Sequence, residues 1–481
     1  MPAARMVSRK TGTQVAAILR RVDALGPKAW AAVLSTVAVV VRLPVIFTST
    51  SYADSDYLDI YTDTLVYIDI SDDLVSGRGF EGAGNYRTGG YPLFLTVLRP
   101  LFGQIYDTTA VVQHVLGVLL VAAIVLVAWR YFGRATALIA GGLAAISPLM
   151  IPVEHAVLPD FLFGVLIFGG TVCLSEAVRR AGPSTKLLVA TGLLFGIAAN
   201  VKPAGQALIL AAPLALGFAT RDFRRTLKGT AVVSAALIAT LLPWMARNTI
   251  NYGSPEMSIQ GRHALFLRVF DGDKLAIPTD TAEGRFAKRV YDRTYERGAT
   301  NSYTTVYEAL KRSGRSSEEA IDIMAGLAWK AIRSDPGTYA RETFANLQRH
   351  LSAIGATGTT PSFDDTRQFA DDRLASAGTP LPRRLATFPW RLARIMTKAW
   401  WIASLNAYAA LLLLFVRDVR RNIAGAFLAV WLSIALATSL TNAVEPRFAL
   451  QLGPLVFIMA SAGAVFVVDA VLGALRRVAR G

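Results

Sequence analysis

The sequence predicts an all-α polytopic membrane protein with about ten spanning helices and one small helical segment outside the bilayer. Three observations predict it. Of 481 residues, 53% are hydrophobic and only 17% are charged, where a soluble domain carries about a quarter charged residues. Apolar runs of spanning length recur along the chain, giving a mean hydropathy of +0.41. Basic doublets gather at one end of these runs and unusual polar residues at the other, as the positive-inside rule requires. The net charge of +16 is therefore read as headgroup and cytoplasmic-loop charge. Nucleic-acid binding is set aside because the basic residues flank apolar spans. The single cysteine, Cys173, lies in an apolar run and offers neither a disulfide nor a cysteine metal site.

Taken in order, residues 1–28 form a basic segment expected in the cytoplasm. It is too long, and lacks the small-residue site, for a cleavable signal peptide. The run Trp30–Phe47 starts a membrane module over 29–249 that holds an acidic and aromatic outer loop, 49–106. Tyr91–Phe102 is apolar but too short to cross, so it reads as a juxtamembrane or re-entrant helix. Runs over Asp107–Trp129, Thr136–Val153, Phe161–Ala177, Leu187–Val201, Ala204–Phe218 and Thr230–Ala246 then alternate in direction. Residues 250–395 hold no spanning run and are expected outside. Within them, Ser317–Leu351 has helical period broken at Asp335-Pro336-Gly337, and Thr357–Pro382 reads as a loop. Three helices over 396–475, Ala399–Val416, Ile423–Ala443 and Phe448–Leu475, and a short basic tail, 476–481, complete the chain. Both termini are then cytoplasmic, and the unusual polar residues at span ends face outward.

Among those residues Asp63 stands out. It heads the pattern D-T-x-x-Y-x-x-x-S-x-x-L-x-x-G-x-G-F, Asp63 to Phe80, in which Tyr67, Ile70 and Leu74 share one helix face. A carboxylate at a helix start is kept ionised by the positive end of the helix and can take a proton from a hydroxyl. It can equally be an ordinary N-cap, and helix grammar leaves both readings open. Asp54-Ser55-Asp56 is a D-x-D pair of the kind that holds a divalent cation on a phosphate, although short acidic pairs are common in solvated loops. Arg87, Lys202, Arg247 and Arg447 stand where apolar runs emerge. Each alone could be a snorkelling anchor. Together, opposite an acidic loop, they suit a lipid phosphate. Glu154-His155 and Pro159-Asp160 do not reproduce the spacing of known His/carboxylate metal sites and read as a loop facing the same cavity. Arg42 and His114 lie inside spans and read as buried structural residues.

Several motifs, in order, resemble the GT-C glycosyltransferases. The likeness is to the branch with protein O-mannosyltransferases, lipid A aminoarabinose and galacturonic acid transferases, and mycobacterial arabinofuranosyltransferases. After the Asp63–Phe80 pattern comes RTGGYPLFL, Arg87–Leu95, similar to R-x-P-G-Y-P-x-F-L with Gly89 in place of proline. LPDFLF, Leu158–Phe163, resembles S-E-x-L-F with Asp160 at the acidic position. GIAANVKPAG, Gly196–Gly205, LPWMARNTINYG, Leu242–Gly253, IRSDPGTY, Ile332–Tyr339, and PRF, Pro446–Phe448, follow in register with the family's later motifs.

The resemblance implies a sugar donor carried on polyprenyl phosphate and an acceptor hydroxyl on a glycan, lipid or protein. Beside Asp63, which the resemblance implies as base, the D-x-D acids Asp54 and Asp56 and the motif acid Asp160 are secondary acidic candidates. The resemblance implies Lys202, Arg247, Arg447 and Arg87 on the donor phosphate, and Tyr67, Tyr91, Glu154 and His155 around the substrate. No metal ligand set and no cofactor is expected, with a divalent cation left open. The alternatives are a transporter or flippase, or a polymerase or ligase of lipid-linked glycans. The polymerase or ligase reading does not account for the first-loop acidic motif, and for a transporter few polar residues lie deep in the spans and no inverted repeat is visible.

Overall fold

In a computed structural model, the residues described are 25–48, 62–101, 105–147, 150–180, 184–296, 302–352, 409–416, 418–442 and 451–480. Asp54, Asp56, Arg447 and the Thr357–Pro382 stretch lie outside them. Every regular element among the described residues is helical. Helix α1, Pro27–Thr48, is followed by α2, Thr62–Val75, and the nine-residue α3, Gly90–Leu98. Then come α4, Ile105–Phe132, α5, Arg134–Ala145, α6, Met150–His155, α7, Pro159–Arg179, and α8, Thr185–Val201. A 3-10 stretch, Pro203–Leu210, runs into α9, Ala211–Thr220, and α10, Phe223–Tyr252, closes this half.

Six described helices are long and apolar enough to cross a membrane: Thr108–Phe132, Pro159–Arg179, Pro203–Thr220, Phe223–Tyr252, Val419–Thr441 and Gly453–Val478. Of the ten runs expected to span, two fall short among the described residues, and Ala399–Val416 lies mostly outside them. The run through Thr136–Val153 breaks near Ser147 into α5 and α6, and the run through Leu187–Val201 ends where Lys202 turns extended. At 1.5 Å per residue the 12 residues of α5 and 17 of α8 reach about 18 and 26 Å, short of a core of about 30 Å. The chain is a multi-pass membrane protein, and the size of its helical bundle follows from how tightly these pieces pack.

The tightest packing is of α8 on α10. A Cβ on Gly192 would overlap the Val233 carbonyl and the Ala236 methyl, and one on Gly196 would overlap Thr240 and the Leu237 carbonyl. The i, i+4 glycine pair lets two backbones approach closely, which is how helices associate where lipid removes the hydrophobic drive. Asn200 locks the contact by donating to the Gly196 carbonyl at 3.0 Å and the Thr240 carbonyl at 2.9 Å.

Between α10 and the last spans, a helical segment builds a second apolar core around Phe266, Phe270, Val306, Leu310, Met324 and Ala328. It comprises α11, Gln260–Phe266, a π turn Leu267–Gly272, α12, Ala282–Glu296, α13, Ser302–Arg312, α14, Ser317–Ser334, and α15, Pro336–Ser352. A capping box starts α14: Ser316 Oγ accepts from Glu319 N at 3.2 Å and Glu319 Oε2 from Ser316 N at 2.7 Å. Asp335 breaks α14 from α15, as the proline two residues into the motif dictates. Buried Arg268 ties this segment to the end of α16, Val419–Thr441, by donating to the Ser439 carbonyl at 3.2 Å, and Tyr339 donates to the Leu440 carbonyl at 2.5 Å. Helix α17, Gly453–Val478, completes the bundle against α5.

Candidate functional site

The loop between α2 and α3 is built from the outside in. Asp73 accepts from Arg78 Nε at 2.8 Å and from the Gly82 amide at 3.1 Å, which folds the Gly-rich return back on α2. Arg247, near the end of α10, donates to the Phe80 and Gly84 carbonyls, each at 2.6 Å, while its guanidinium lies over the Trp244 ring at 4.6 Å. A hydrogen bond from a charged donor contributes roughly 1.5–3 kcal/mol, so Arg247 is a clamp on the loop. Phe80 and Trp244 meet edge to face at 5.0 Å, and a Cβ on Gly89 would strike both. Gly90 then seats α3 on α8: its missing Cβ would lie 2.5 Å from the Asn200 carbonyl, two residues before Lys202. The motifs at 80, 87–92, 196–205 and 242–253 thus describe one packing arrangement. Gly90→Ala is expected to push Asn200 and Lys202 apart from Arg87 and to reduce transfer at least tenfold, read as product formed per folded protein; an alanine variant with full activity would refute that coupling.

Beside this junction lies a cavity of about 310 Å³. Its charged lining is two carboxylates and two cations: Asp63, Asp160, Arg87 and Lys202. Asp63, in the first turn of α2, is ion-paired with Arg87 Nη2. Arg87 is itself buried, with its guanidinium carbon 5.2 Å from the Tyr67 ring and 5.1 Å from the Tyr86 ring. Asp160, in the first turn of α7, accepts from Lys202 Nζ at 2.9 Å and also from the Gln451 amide. Gly164 makes room for that contact, because a Cβ there would lie 2.6 Å from the Gln451 carbonyl. Ser258, Gln260 and Gly261 close the cavity from the helical segment, and Thr438, Thr441 and Asn442 from the end of α16.

The remaining residues marked in the sequence sit elsewhere. Arg247 does not line this cavity, its donors being taken up by the loop. Tyr91 is fully buried behind Tyr67, 5.2 Å away edge to face. Glu154 and His155 are also buried and are absent from the lining. Glu154 binds Arg42 through two bonds of 2.6 Å and His114 Nδ1 at 3.0 Å, and His114 Nε2 lies 3.0 Å from His155 Nδ1. Gly117 leaves the space for that carboxylate, since a Cβ there would come within 2.5 Å of it. The pair of intramembrane residues Arg42 and His114 therefore explains Glu154. Gln451, Gln260 and Gly261 carry no motif and were not marked in the sequence. Among the described residues no group of three His, Cys, Asp or Glu could hold a metal.

A second set of bonds ties the cavity to the helical segment. The Ile259 amide donates to the Asn85 carbonyl at 3.0 Å, and Ser258 Oγ donates to the Tyr86 carbonyl at 2.5 Å. The Tyr86 hydroxyl lies 2.9 Å from His263 Nδ1, and the His263 ring sits 5.0 and 5.2 Å from those of Tyr303 and Tyr307. Burial first, and the nearby Arg87 second, lower the His263 imidazole from 6.5 to about 4. The unfolded chain binds that proton at the ordinary value, so protonation favours unfolding. The stability that depends on a neutral His263 is complete above pH 6.5 and is lost as pH falls from there toward 4. The drop in melting temperature between about pH 7.5 and about pH 4.5 is expected to be smaller in His263→Gln than in the parent; equal drops would count against it.

Residues 90–245 match the family described as dolichyl-phosphate-mannose-protein mannosyltransferase. Over that stretch, about a third of its length, the chain is similar to a family of membrane glycosyltransferases. The matched stretch begins at Gly90 and ends just before Arg247, so it contains Asp160 and Lys202. Among solved structures, apo ArnT from Cupriavidus metallidurans is 15% identical, covering 86% of this chain and 77% of its own, with TM-score 0.39. The same protein bound to undecaprenyl phosphate is 14% identical, covering 89% and 78%, with TM-score 0.39. The oligosaccharyltransferase AglB from Archaeoglobus fulgidus, in complex with an inhibitory peptide and a dolichol-phosphate, is 14% identical with TM-score 0.49. In that comparison 93% of this chain is covered but only 51% of the AglB chain. At these identities the likeness is one of fold alone. No curated protein sequence gave a significant match.

Proposed function

We propose that the protein moves a sugar from a polyprenyl-phosphate donor to a hydroxyl of a cell-envelope glycan, lipid or protein, with inversion, at the outer face of the plasma or inner membrane. The observation that carries this reading is the pairing of two carboxylates with two cations around one cavity. The matched family's description, which names a dolichyl-phosphate sugar, supports the donor class. In the reaction, the acceptor oxygen forms a bond to the anomeric carbon as the bond from that carbon to the phosphate oxygen breaks. The acceptor proton passes to Asp63, and polyprenyl phosphate leaves with the electron pair. Arg87, ion-paired with Asp63, orients that carboxylate. Lys202, which lines the same cavity, supplies the ammonium that meets charge developing on the departing phosphate, and Asp160, itself bonded to Gln451, holds it.

No nucleotide enters this scheme, and the proton-transfer and charge-stabilising roles fall to the chain's own side chains. The test is incubation of the purified protein with a panel of polyprenyl-phosphate sugars, read by mass spectrometry. One donor is expected to be consumed with release of polyprenyl phosphate, and nuclear magnetic resonance should show the opposite anomeric configuration in the product. Indifference to every donor on the panel, or retention of configuration, would sink the proposal.

A further inference from the structure

The cavity has two chemically different walls. Its four charged side chains, Asp63, Arg87, Asp160 and Lys202, all come from the membrane module. The helical segment contributes only Ser258, Gln260 and Gly261, none of them charged. Ser258 is already committed, since its hydroxyl donates to the Tyr86 carbonyl and accepts from the Gln260 amide nitrogen at 3.0 Å. The Gln260 side chain, in contrast, makes no hydrogen bond to any described residue. It carries one acceptor and two donors at the edge of the cavity. Beside it, a Cβ on Gly261 would meet nothing within 4 Å. The wall is an open shelf with an uncommitted amide, held in place by the bonds from residues 258, 259 and 263 to the loop that bears Arg87.

Resting on the functional reading above, we propose that this shelf is the acceptor subsite, that Gln260 and Gly261 determine acceptor choice, and that the acceptor end it takes is an uncharged saccharide. A phosphate is served by the Lys202 ammonium from the membrane module. Gln260 and Asp63 line the same cavity, so an acceptor held on the shelf shares it with the base. A side-chain amide pairs with the alternating donors and acceptors of neighbouring sugar hydroxyls without needing a counter-charge. A cavity of about 310 Å³ shared with the donor sugar leaves room for a compact terminus. An extended peptide would need a longer groove or a free sheet edge, and no strand exists among the described residues.

The experiment measures separate KM values for donor and acceptor in the full-length parent, Gln260→Ala and Gly261→Leu, with octyl glycosides as acceptor probes and a threonine-containing peptide as rival. Gln260→Ala is expected to raise the KM for the preferred glycoside roughly fivefold, the worth of a hydrogen bond, with the donor KM within about twofold of the parent. Gly261→Leu improves helix propensity and its Cβ meets nothing within 4 Å, so it is expected to fold as well as the parent while rejecting the larger glycosides. Equal shifts in both KM values, or a parent that glycosylates the peptide and no glycoside, overturns the assignment. A parent that consumes no polyprenyl-phosphate sugar at all instead overturns the donor reading on which it rests. Unchanged acceptor KM in both variants overturns the shelf alone.

Discussion

Asp63→Asn is expected to lower sugar transfer by roughly 10²–10⁴-fold while the protein still folds. The argument rests on what asparagine keeps and what it loses. It keeps the size of the side chain and an oxygen that can accept from Arg87. It loses the capacity to take the acceptor's proton. Arg87 remains held between the Tyr67 and Tyr86 rings, so its seat survives the change. The measurement is single-turnover transfer from the donor identified by the panel, beside a thermal unfolding curve. Loss of transfer with an unchanged melting temperature supports the base role. Undiminished transfer removes Asp63 from it and moves the role to Asp160, the other cavity carboxylate, or to Asp54 and Asp56. Asp63→Glu, which retains the acid but lengthens it by one methylene, is expected to recover part of the activity.

The second large effect is on stability. Arg42→Met is expected to cost about 3–5 kcal/mol, because it strands the Glu154 carboxylate at 0% exposure without its bidentate partner. His114 alone, bonded through one nitrogen, cannot replace a guanidinium that also satisfies the Ala145 carbonyl at 2.9 Å. The double variant Arg42→Met with Glu154→Gln removes the charge along with its partner, and is expected to regain most of the loss. Thermal unfolding in detergent micelles provides the comparison. If the single and double variants melt together, the pair is not a coupled unit. The cluster also fixes the approach to α7: Gln113, on α4, donates to the carbonyls of Glu154 at 3.0 Å and Ala156 at 2.8 Å, just ahead of Asp160.

What was legible in the sequence was what leaves a local trace. The nine-residue α3 was visible as an apolar run too short to cross, and α2 through the spacing of Tyr67 and Ile70, both buried. Lys202 and Arg87 were visible because charge at the end of an apolar run is costly and so calls for a partner. The partners were not visible. Arg247 was rightly seen as a cation at a helix end, but its acceptors are backbone carbonyls 163 and 167 residues away, and no residue type marks a carbonyl. Glu154 and His155 were conspicuous, yet whether they face a cavity or Arg42 depends on helix rotation, which periodicity cannot set when a span is apolar all round. The shortness of two of the expected spans was hidden for a related reason. Hydropathy does not distinguish one long helix from two pieces that break near Ser147. Gln451 and Gln260 left no trace, because a lone amide at the edge of an apolar helix has no pattern.

The clamp that Arg247 places on the Phe80–Gly84 loop also sets an order of assembly. A ribosome adding about 5–20 residues per second makes the loop on the order of 10–30 s before it makes the arginine that fastens it. Asp160 is joined by Lys202 only 42 residues later but waits 291 residues for Gln451. The nascent protein therefore carries its first loop for about a third of its length before Arg247 arrives, and Asp160 for longer before Gln451 does. Chain truncations that stop before residue 247 can insert their early helices and keep the Asp73 bonds to Arg78 and Gly82, but they lack the arginine that fastens Phe80 and Gly84.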